Sequence, residues 1–368
     1  MPALRWDLFC HVVDNFGDVG VCWRLAAQLG ARGDRVRLLI DDASALAWMA
    51  PRGAPGVEVR PWADAERLQP AEVVIEAFGC DPPAAFVAAM SRGAVAPVWI
   101  NLEYLSAEDY AERSHGLPSP QPGGLLKWFF FPGFTPRTGG LLREDGLLAA
   151  RETFDRDAWL RSIGVERRPG ERVVSLFAYA NPRLPELLRD LAARPTLLLL
   201  ARGPSQEQAL ALESLPLGLR LHPLPWLDQP DFDRLLWSSD LNFVRGEDSL
   251  VRALWAGAPF VWMAYPQHDE AHRAKLEALL ARAALPPEAS ALLRAWNGFA
   301  PWAPSSVAPG GPGAPGLPSV APEGQWATAV GRWRAAVAAQ DDLATQLRRF
   351  ALARRDASRP PATDGPDC

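Results

Sequence analysis

Val244-Arg245-Gly246-Glu247-Asp248-Ser249-Leu250-Val251-Arg252-Ala253-Leu254-Trp255-Ala256-Gly257-Ala258-Pro259-Phe260-Val261-Trp262-Met263-Ala264-Tyr265 carries the pattern of one strand–helix–strand unit. The stretch opens at the end of an apolar run, 240–244, that reads as a strand. Gly246 lets the chain turn, and Glu247, Asp248 and Ser249 all favour a helix start. Leu250, Leu254 and Trp255 then form a helical apolar stripe. Gly257 ends that helix, Pro259 blocks its restart, and Phe260–Met263 reads as the next buried strand. Strand, turn, helix and strand are the unit of a parallel α/β sheet. The helix N-terminus carries free backbone N–H groups beside Arg245, which suits a phosphate.

The same pattern opens the chain. Leu8–Val13 is a strand-length apolar run, 14–20 is a loop with two glycines, and Val21, Leu25 and Leu29 mark one face of a helix. Gly33-Asp34 ends it, and Val36–Ile40 is the next strand, which completes a βαβ unit. Strands at 73–77 and 97–101 flank a helix at 82–90. A second array follows, with strands at 173–177, 196–200, 219–221, 240–244 and 260–263. Its helices fall at 185–192, 205–213, 231–237, 249–256 and 269–281. The chain therefore reads as α/β, with two doubly wound arrays. Between them, 114–146 is dense in proline and glycine, and Trp128-Phe129-Phe130-Phe131 reads there as a loop with a core plug.

Two domains suit 368 residues better than one core. The divisions fall at 1–150, 151–298, a Pro/Gly-rich linker at 299–325, a C-terminal helix at 326–356 and a disordered tail at 357–368. The linker composition cannot supply a core. A net charge of −5 argues against nucleic acid as the main partner. The four cysteines show no Cys-x-x-Cys spacing and read as reduced thiols of a cytoplasmic protein. No signal peptide and no run long enough to span a membrane is expected.

Asp14 and Asp18 flank a tight loop at the carboxyl end of the first strand, the end that faces the ligand crevice in open α/β sheets. From the residues alone, Asp18 reads equally as a turn former and helix cap and as a functional acid, and Asp14 slightly more as a turn former. The loop is not a dinucleotide fingerprint, since Gly17 and Gly20 do not make Gly-x-Gly-x-x-Gly. Asp41 and Asp42 read as polar residues at a strand end. His268 and His272 are four apart, but the sequence between them is not His-Glu-x-x-His and no third ligand is evident. No metal site is expected.

Arg-Gly-Glu-Asp-Ser at 245–249, with the Val-Arg-Ala and Trp-Ala-Gly that follow, resembles the signature of bacterial protein-arginine rhamnosyltransferases, the EarP family, which modify elongation factor P. Val-Val-Asp-Asn-Phe-Gly-Asp-Val-Gly-Val-Cys-Trp-Arg-Leu at 12–25 resembles a second signature of the same family. The resemblance covers most of the chain, weakly at 105–165 and hardly at all after 298. It implies two Rossmann-like domains facing across a cleft, the GT-B glycosyltransferase architecture. It also implies a metal-independent, inverting transfer from dTDP-β-L-rhamnose to an arginine of elongation factor P, giving an α-rhamnosyl arginine. Residues 1–150 would hold the protein acceptor and 151–298 the nucleotide sugar. Asp18 falls in the base position and Asp14 beside it. Phe177, Tyr179, Trp226, Phe232 and Tyr265 would line the nucleobase slot, with Gln229 contacting the base. Arg245, Glu247, Asp248 and Ser249 would hold sugar and phosphate. Trp226 stands where the family usually has phenylalanine, and Ala180 where it often has glutamate.

Two carboxylates suit a guanidinium acceptor, a planar cationic fork of donors. A guanidinium holds its proton so much more tightly than a carboxylate does that prior proton transfer would cost roughly 13 kcal/mol. A concerted route avoids that cost: one acid orients the guanidinium while the other takes the proton as the C–N bond forms. Two rivals remain on sequence alone. One is the same architecture acting on another acceptor. The other is a catalytically silent nucleotide-sugar binding module, which has no need of Asp14 and Asp18.

Overall fold

The computed structural model describes residues 2–13, 16–266, 271–302 and 317–357. The first half runs β1 (Arg5–Cys10), α1 (Gly17–Ala31), β2 (Arg35–Ile40), α2 (Leu46–Met49), β3 (Val57–Pro61), β4 (Val73–Ala77), α3 (Ala84–Arg92), β5 (Val98–Leu102), α4 (Asp109–Ser114), β6 (Pro118–Pro120) and β7 (Leu126–Phe130). The connection carries α5 (Leu147–Glu152) and α6 (Arg156–Ser162). The second half runs β8 (Arg172–Leu176), α7 (Leu184–Leu191), β9 (Thr196–Leu200), α8 (Pro204–Leu210), β10 (Leu219–Pro223), α9 (Gln229–Trp237), β11 (Leu241–Arg245), α10 (Gly246–Ala256), β12 (Phe260–Met263), α11 (Ala271–Ala283) and α12 (Pro287–Trp296). Two helices close the described chain, α13 (Gln325–Ala338) and α14 (Leu343–Ala357).

The strands form two sheets, in the orders β3-β2-β1-β4-β5-β7-β6 and β10-β9-β8-β11-β12. Every pairing is parallel except β6 with β7. The central strands β4, β5, β9 and β11 are buried along their whole length, as sheets covered on both faces require. Apolar clusters fill both faces of each sheet. In both sheets the strand order reverses beside the first strand of the array, which puts the crevice at the carboxyl ends of β1 and β4 and of β8 and β11. No helix among the described residues is long and apolar enough to cross a membrane.

Three expectations are corrected. Trp128-Phe129-Phe130 is not loop but part of β7, paired in parallel with β5 from Trp99↔Lys127 to Leu102↔Phe130. Proline and glycine on both sides hid a strand that the neighbouring sheet edge stabilises. The C-terminal segment is two helices rather than one. Trp326, Val330, Trp333 and Val337 of α13 pack into the second core, whereas Leu343, Leu347 and Ala351 of α14 pack into the first. At the break, Arg143 donates to the carbonyls of Ala338 (2.6 Å) and Gln340 (3.0 Å), which satisfies the end of α13. Asp342 accepts from the Thr345 N–H at 3.0 Å and starts α14. The division expected at 150 falls inside α5, and the two cores interleave before it: Ala107, Phe134 and Leu141 already pack into the second core, whereas Leu142 packs into the first. Much of the expected linker and nearly all of the expected tail, 303–316 and 358–368, lie outside the described residues.

Candidate active site

Arg245 is the last residue of β11, and Gly246 turns the chain at φ 63° into α10. A positive φ at that corner is what only glycine adopts without strain. The Ser249 hydroxyl closes the turn: it accepts from the Arg245 N–H at 3.1 Å and donates to the Arg245 carbonyl. Trp262 of the adjacent strand β12 donates its indole N–H to the Gly246 carbonyl at 2.7 Å. The helix N-terminus is thereby held rigid, with the Arg245 side chain 7% exposed. That guanidinium lies over the rings of Phe177 (4.5 Å) and Tyr179 (4.6 Å). Gly257, at φ 76°, ends the helix.

Two cavities meet at this turn. The first, about 760 Å³, is lined from the second domain by Phe177, Tyr179, Trp226, Gln229, Phe232 and the whole 245–249 turn. The second, about 1080 Å³, takes Asp18, Val21, Phe78 and Tyr104 from the first domain and Tyr265 and Lys275 from the second. Gly17, Gly246 and Glu247 belong to both walls. The expected donor residues are thus brought together, except that Tyr265 lies on the second cavity, edge-on to Tyr179 at 5.4 Å across the junction. The first domain also reaches the first cavity, which the sequence did not indicate. Phe16 and Trp48 line it, and Trp226 stacks on Trp48 at 4.4 Å with Phe16 edge-on to both. Phe16 lies inside a family motif, whereas Trp48 carries no signal that would single it out. On the opposite side, Phe177 and Phe232 meet edge-on at 5.2 Å.

Asp18 stands in the first turn of α1, 3% exposed, and accepts from the Val13 N–H at 2.8 Å. Asp14 lies outside the described residues. Glu247 accepts from the Leu105 N–H at 2.8 Å, so the first turn of α10 is tied to the first domain.

Behind the junction a lattice of five charges joins the domains, with Arg24, Asp233 and Arg252 buried and Glu144 and Asp248 partly exposed; no local sequence pattern announces its contacts. Arg24 of α1 contacts Asp248 (3.1 Å), Glu144 (3.1 Å) and Asp233 (3.3 Å). Arg252 of α10 contacts Asp233 and Glu144, both at 2.6 Å. Burial and Arg252 push the Arg24 guanidinium down, yet Asp233, Asp248 and Glu144 hold it above its ordinary value. Burial pushes Glu144 up, but Arg252 and Arg24 outweigh it and hold the carboxyl down to about 2. Asp248 is raised, because its burial exceeds the pull of Arg24 and Arg252. Gln229 donates to the Gly20 carbonyl of α1 at 3.0 Å. In this structure the side chains of Gln229 and Asp248 therefore face the other domain. What Asp248 retains for a phosphate is its backbone N–H in the first helical turn.

His268 also lies outside the described residues, and the His272 ring packs on Phe299 at 4.9 Å.

Comparison with known proteins agrees with this geometry. The model of the family described as "Elongation-Factor P (EF-P) rhamnosyltransferase EarP" matches residues 6–352. A protein of Pseudomonas putida named protein-arginine rhamnosyltransferase is 51% identical over 326 residues, covering 79% of this chain and 86% of its own. One from Neisseria meningitidis with the same name is 38% identical, covering 75% and 78%. A solved chain from work on EarP-mediated arginine glycosylation of translation elongation factor EF-P is 33% identical, with a TM-score of 0.63 over 95% of this chain and 99% of that one. The calicheamicin glycosyltransferase CalG4, 15% identical with a TM-score of 0.52, shares the fold over 96% of this chain and 99% of its own.

Proposed function

The chain belongs to the EarP family of elongation factor P rhamnosyltransferases, and from that premise we propose that it moves L-rhamnose from dTDP-β-L-rhamnose to an arginine side chain of elongation factor P. The observation that carries this is the junction of two cavities at Gly17, Gly246 and Glu247, with Asp18 on one and Arg245 on the other. The first cavity suits a nucleoside diphosphate, with aromatic rings for the base and Arg245 and the α10 N-terminus for the pyrophosphate. The second, open past Asp18, suits an arginine side chain presented by a protein.

The step is a displacement at the anomeric carbon. A guanidinium nitrogen attacks C1 of the sugar from the face opposite the phosphate, and the C1–O bond breaks. The electron pair leaves with dTDP, so the configuration inverts and the product is an α-rhamnosyl arginine. The nitrogen acidifies as the new bond forms, and Asp18 takes its proton in concert. Asp14 would orient the guanidinium. The charge developing on the leaving diphosphate falls on Arg245 and the backbone N–H groups of the helix start, preorganised dipoles that need no metal for the task. A cytoplasmic site follows from the acceptor, a component of translation.

The test is mass analysis of elongation factor P after incubation with a panel of dTDP and UDP sugars and a chelator. A deoxyhexose gain on one arginine, from dTDP-rhamnose alone, is expected. Transfer from another donor, or loss of transfer with the chelator, would refute the donor or the metal-free chemistry respectively.

A further inference from the structure

Phe78, directly after β4, has φ 59°, a left-handed conformation that a bulky side chain rarely adopts. The conformation is fixed from both sides. Its N–H donates to the Leu102 carbonyl at 2.7 Å, and the Gly79 N–H to the Asn101 side chain at 3.2 Å. The effect is to lay the Phe78 ring face to face on Tyr104, with centroids 4.3 Å apart and planes 12° from parallel. The strained part is the backbone at Phe78, and the ring pair it sets is an ordinary near-parallel stack. Strain of this kind collects at ligand sites.

Both rings stand on the wall of the second cavity, together with the carboxylates of Asp18 and Glu247. Tyr104 keeps 37% of its surface open. The next residue, Leu105, donates its N–H to Glu247, so the aromatic pair is registered to the start of α10. A planar cation is the ligand that an aromatic face beside acids fits best. An ammonium would gain the charge but not the stacking of a flat guanidinium. Lys275 reaches the same wall from α11 of the other domain.

We propose that the strained Phe78 and its partner Tyr104 form the slot that stacks the acceptor guanidinium beside Asp18. The proposal rests on arginine transfer being the reaction. Phe78 and Tyr104 are binding and positioning residues, and neither takes part in proton transfer.

Steady-state transfer to folded elongation factor P, followed by mass, should be compared for wild type, Tyr104→Ala, Tyr104→Phe and Phe78→Leu, with dTDP affinity measured in parallel. Tyr104→Ala should raise KM for the factor about tenfold, the scale of a cation–π contact. Tyr104→Phe, which keeps the ring, should stay within about threefold of wild type, and Phe78→Leu should fall between them. The affinity for dTDP should not move in any variant. A merely structural loss at this loop would weaken dTDP as well, through the Leu105–Glu247 tie. Unchanged kinetics in Tyr104→Ala, or a Tyr104→Phe as impaired as Tyr104→Ala, overturns the slot and leaves the activity standing. A wild type that modifies no arginine overturns the activity, and the slot with it.

Discussion

Removing Asp233 should do more damage than any change to a surface ion pair, and the size of the loss follows from its surroundings. Asp233 is 5% exposed and holds two guanidiniums that are themselves buried, Arg24 at 4% and Arg252 at 1%. Arg252 grips both its oxygens, at 2.7 and 2.6 Å, and Arg24 approaches at 3.3 and 3.4 Å. In Asp233→Ala the two cations share only Glu144 and Asp248, and burial already raises Asp248 toward its neutral form. Breaking a buried pair in this way costs about 3–5 kcal/mol, a large part of a total that is typically about 5–15 kcal/mol. Asp233→Asn keeps the shape and one acceptor oxygen, and should lose about 2–3 kcal/mol. Arg52, whose side chain is 77% exposed and meets Asp228 at 3.5 Å across the same interface, is the control. Arg52→Ala should stay within about 0.5 kcal/mol of wild type. The assay is urea unfolding followed by tryptophan fluorescence and far-ultraviolet circular dichroism. The lattice joins α1 to α9 and α10, so the two probes should separate in Asp233→Ala as the domains uncouple before they unfold. A loss below about 1 kcal/mol, equal to the Arg52→Ala control, would refute the view of the lattice as an interdomain clasp.

Two further outcomes are expected. Arg245→Ala should weaken dTDP binding by about 1.5–3 kcal/mol in calorimetry with a chelator present, the scale of a lost charge-assisted hydrogen bond. No change there would remove Arg245 from the pyrophosphate site. Glu144 is held down to about 2 by Arg252 and Arg24. Its stabilisation is complete above the ordinary carboxylate range and is lost as the pH falls from there toward 2. Thermal unfolding between pH 5 and pH 2, compared in wild type and Glu144→Gln, should show a shallower acid decline in the variant; parallel declines would contradict this.

The strands and helices that position the site were legible because each carries a local signal. The 244–265 stretch declared its turn, helix start, stop and next strand through Gly246, Ser249, Gly257 and Pro259, and the structure has each of them. Strand β7 was hidden, since its aromatic run sits between prolines and glycines and is stabilised by β5, distant in sequence. The C-terminal break at 339–342 was hidden for a related reason. The apolar spacing resumes beyond it, and the break comes from the division between two cores together with Arg143 on the end of α13 and Asp342 at the start of α14. In the site, family motifs marked Asp18 and the 245–249 turn. Arg24, Glu247 and Asp248 lie in the same motifs, but nothing marked the partners they find across the domains: Arg24 to Asp233 and Asp248, Leu105 to Glu247, and, outside the motifs, Trp48 to Trp226. These contacts depend on how two folded bodies meet, and no local pattern encodes that.

Asp18, on the second cavity, is proposed as the base for transfer from a donor held by the other domain. The decisive measurement is single-turnover transfer to elongation factor P by Asp18→Asn, with dTDP affinity measured on the same protein. The substitution keeps the shape and a hydrogen-bonding group and removes the proton acceptor. The rate of deoxyhexose gain should fall about 10²- to 10⁴-fold, while dTDP binds as to wild type. Transfer at close to the wild-type rate would contradict this and leave Asp18 as a structural first-turn acid that holds the Val13 N–H.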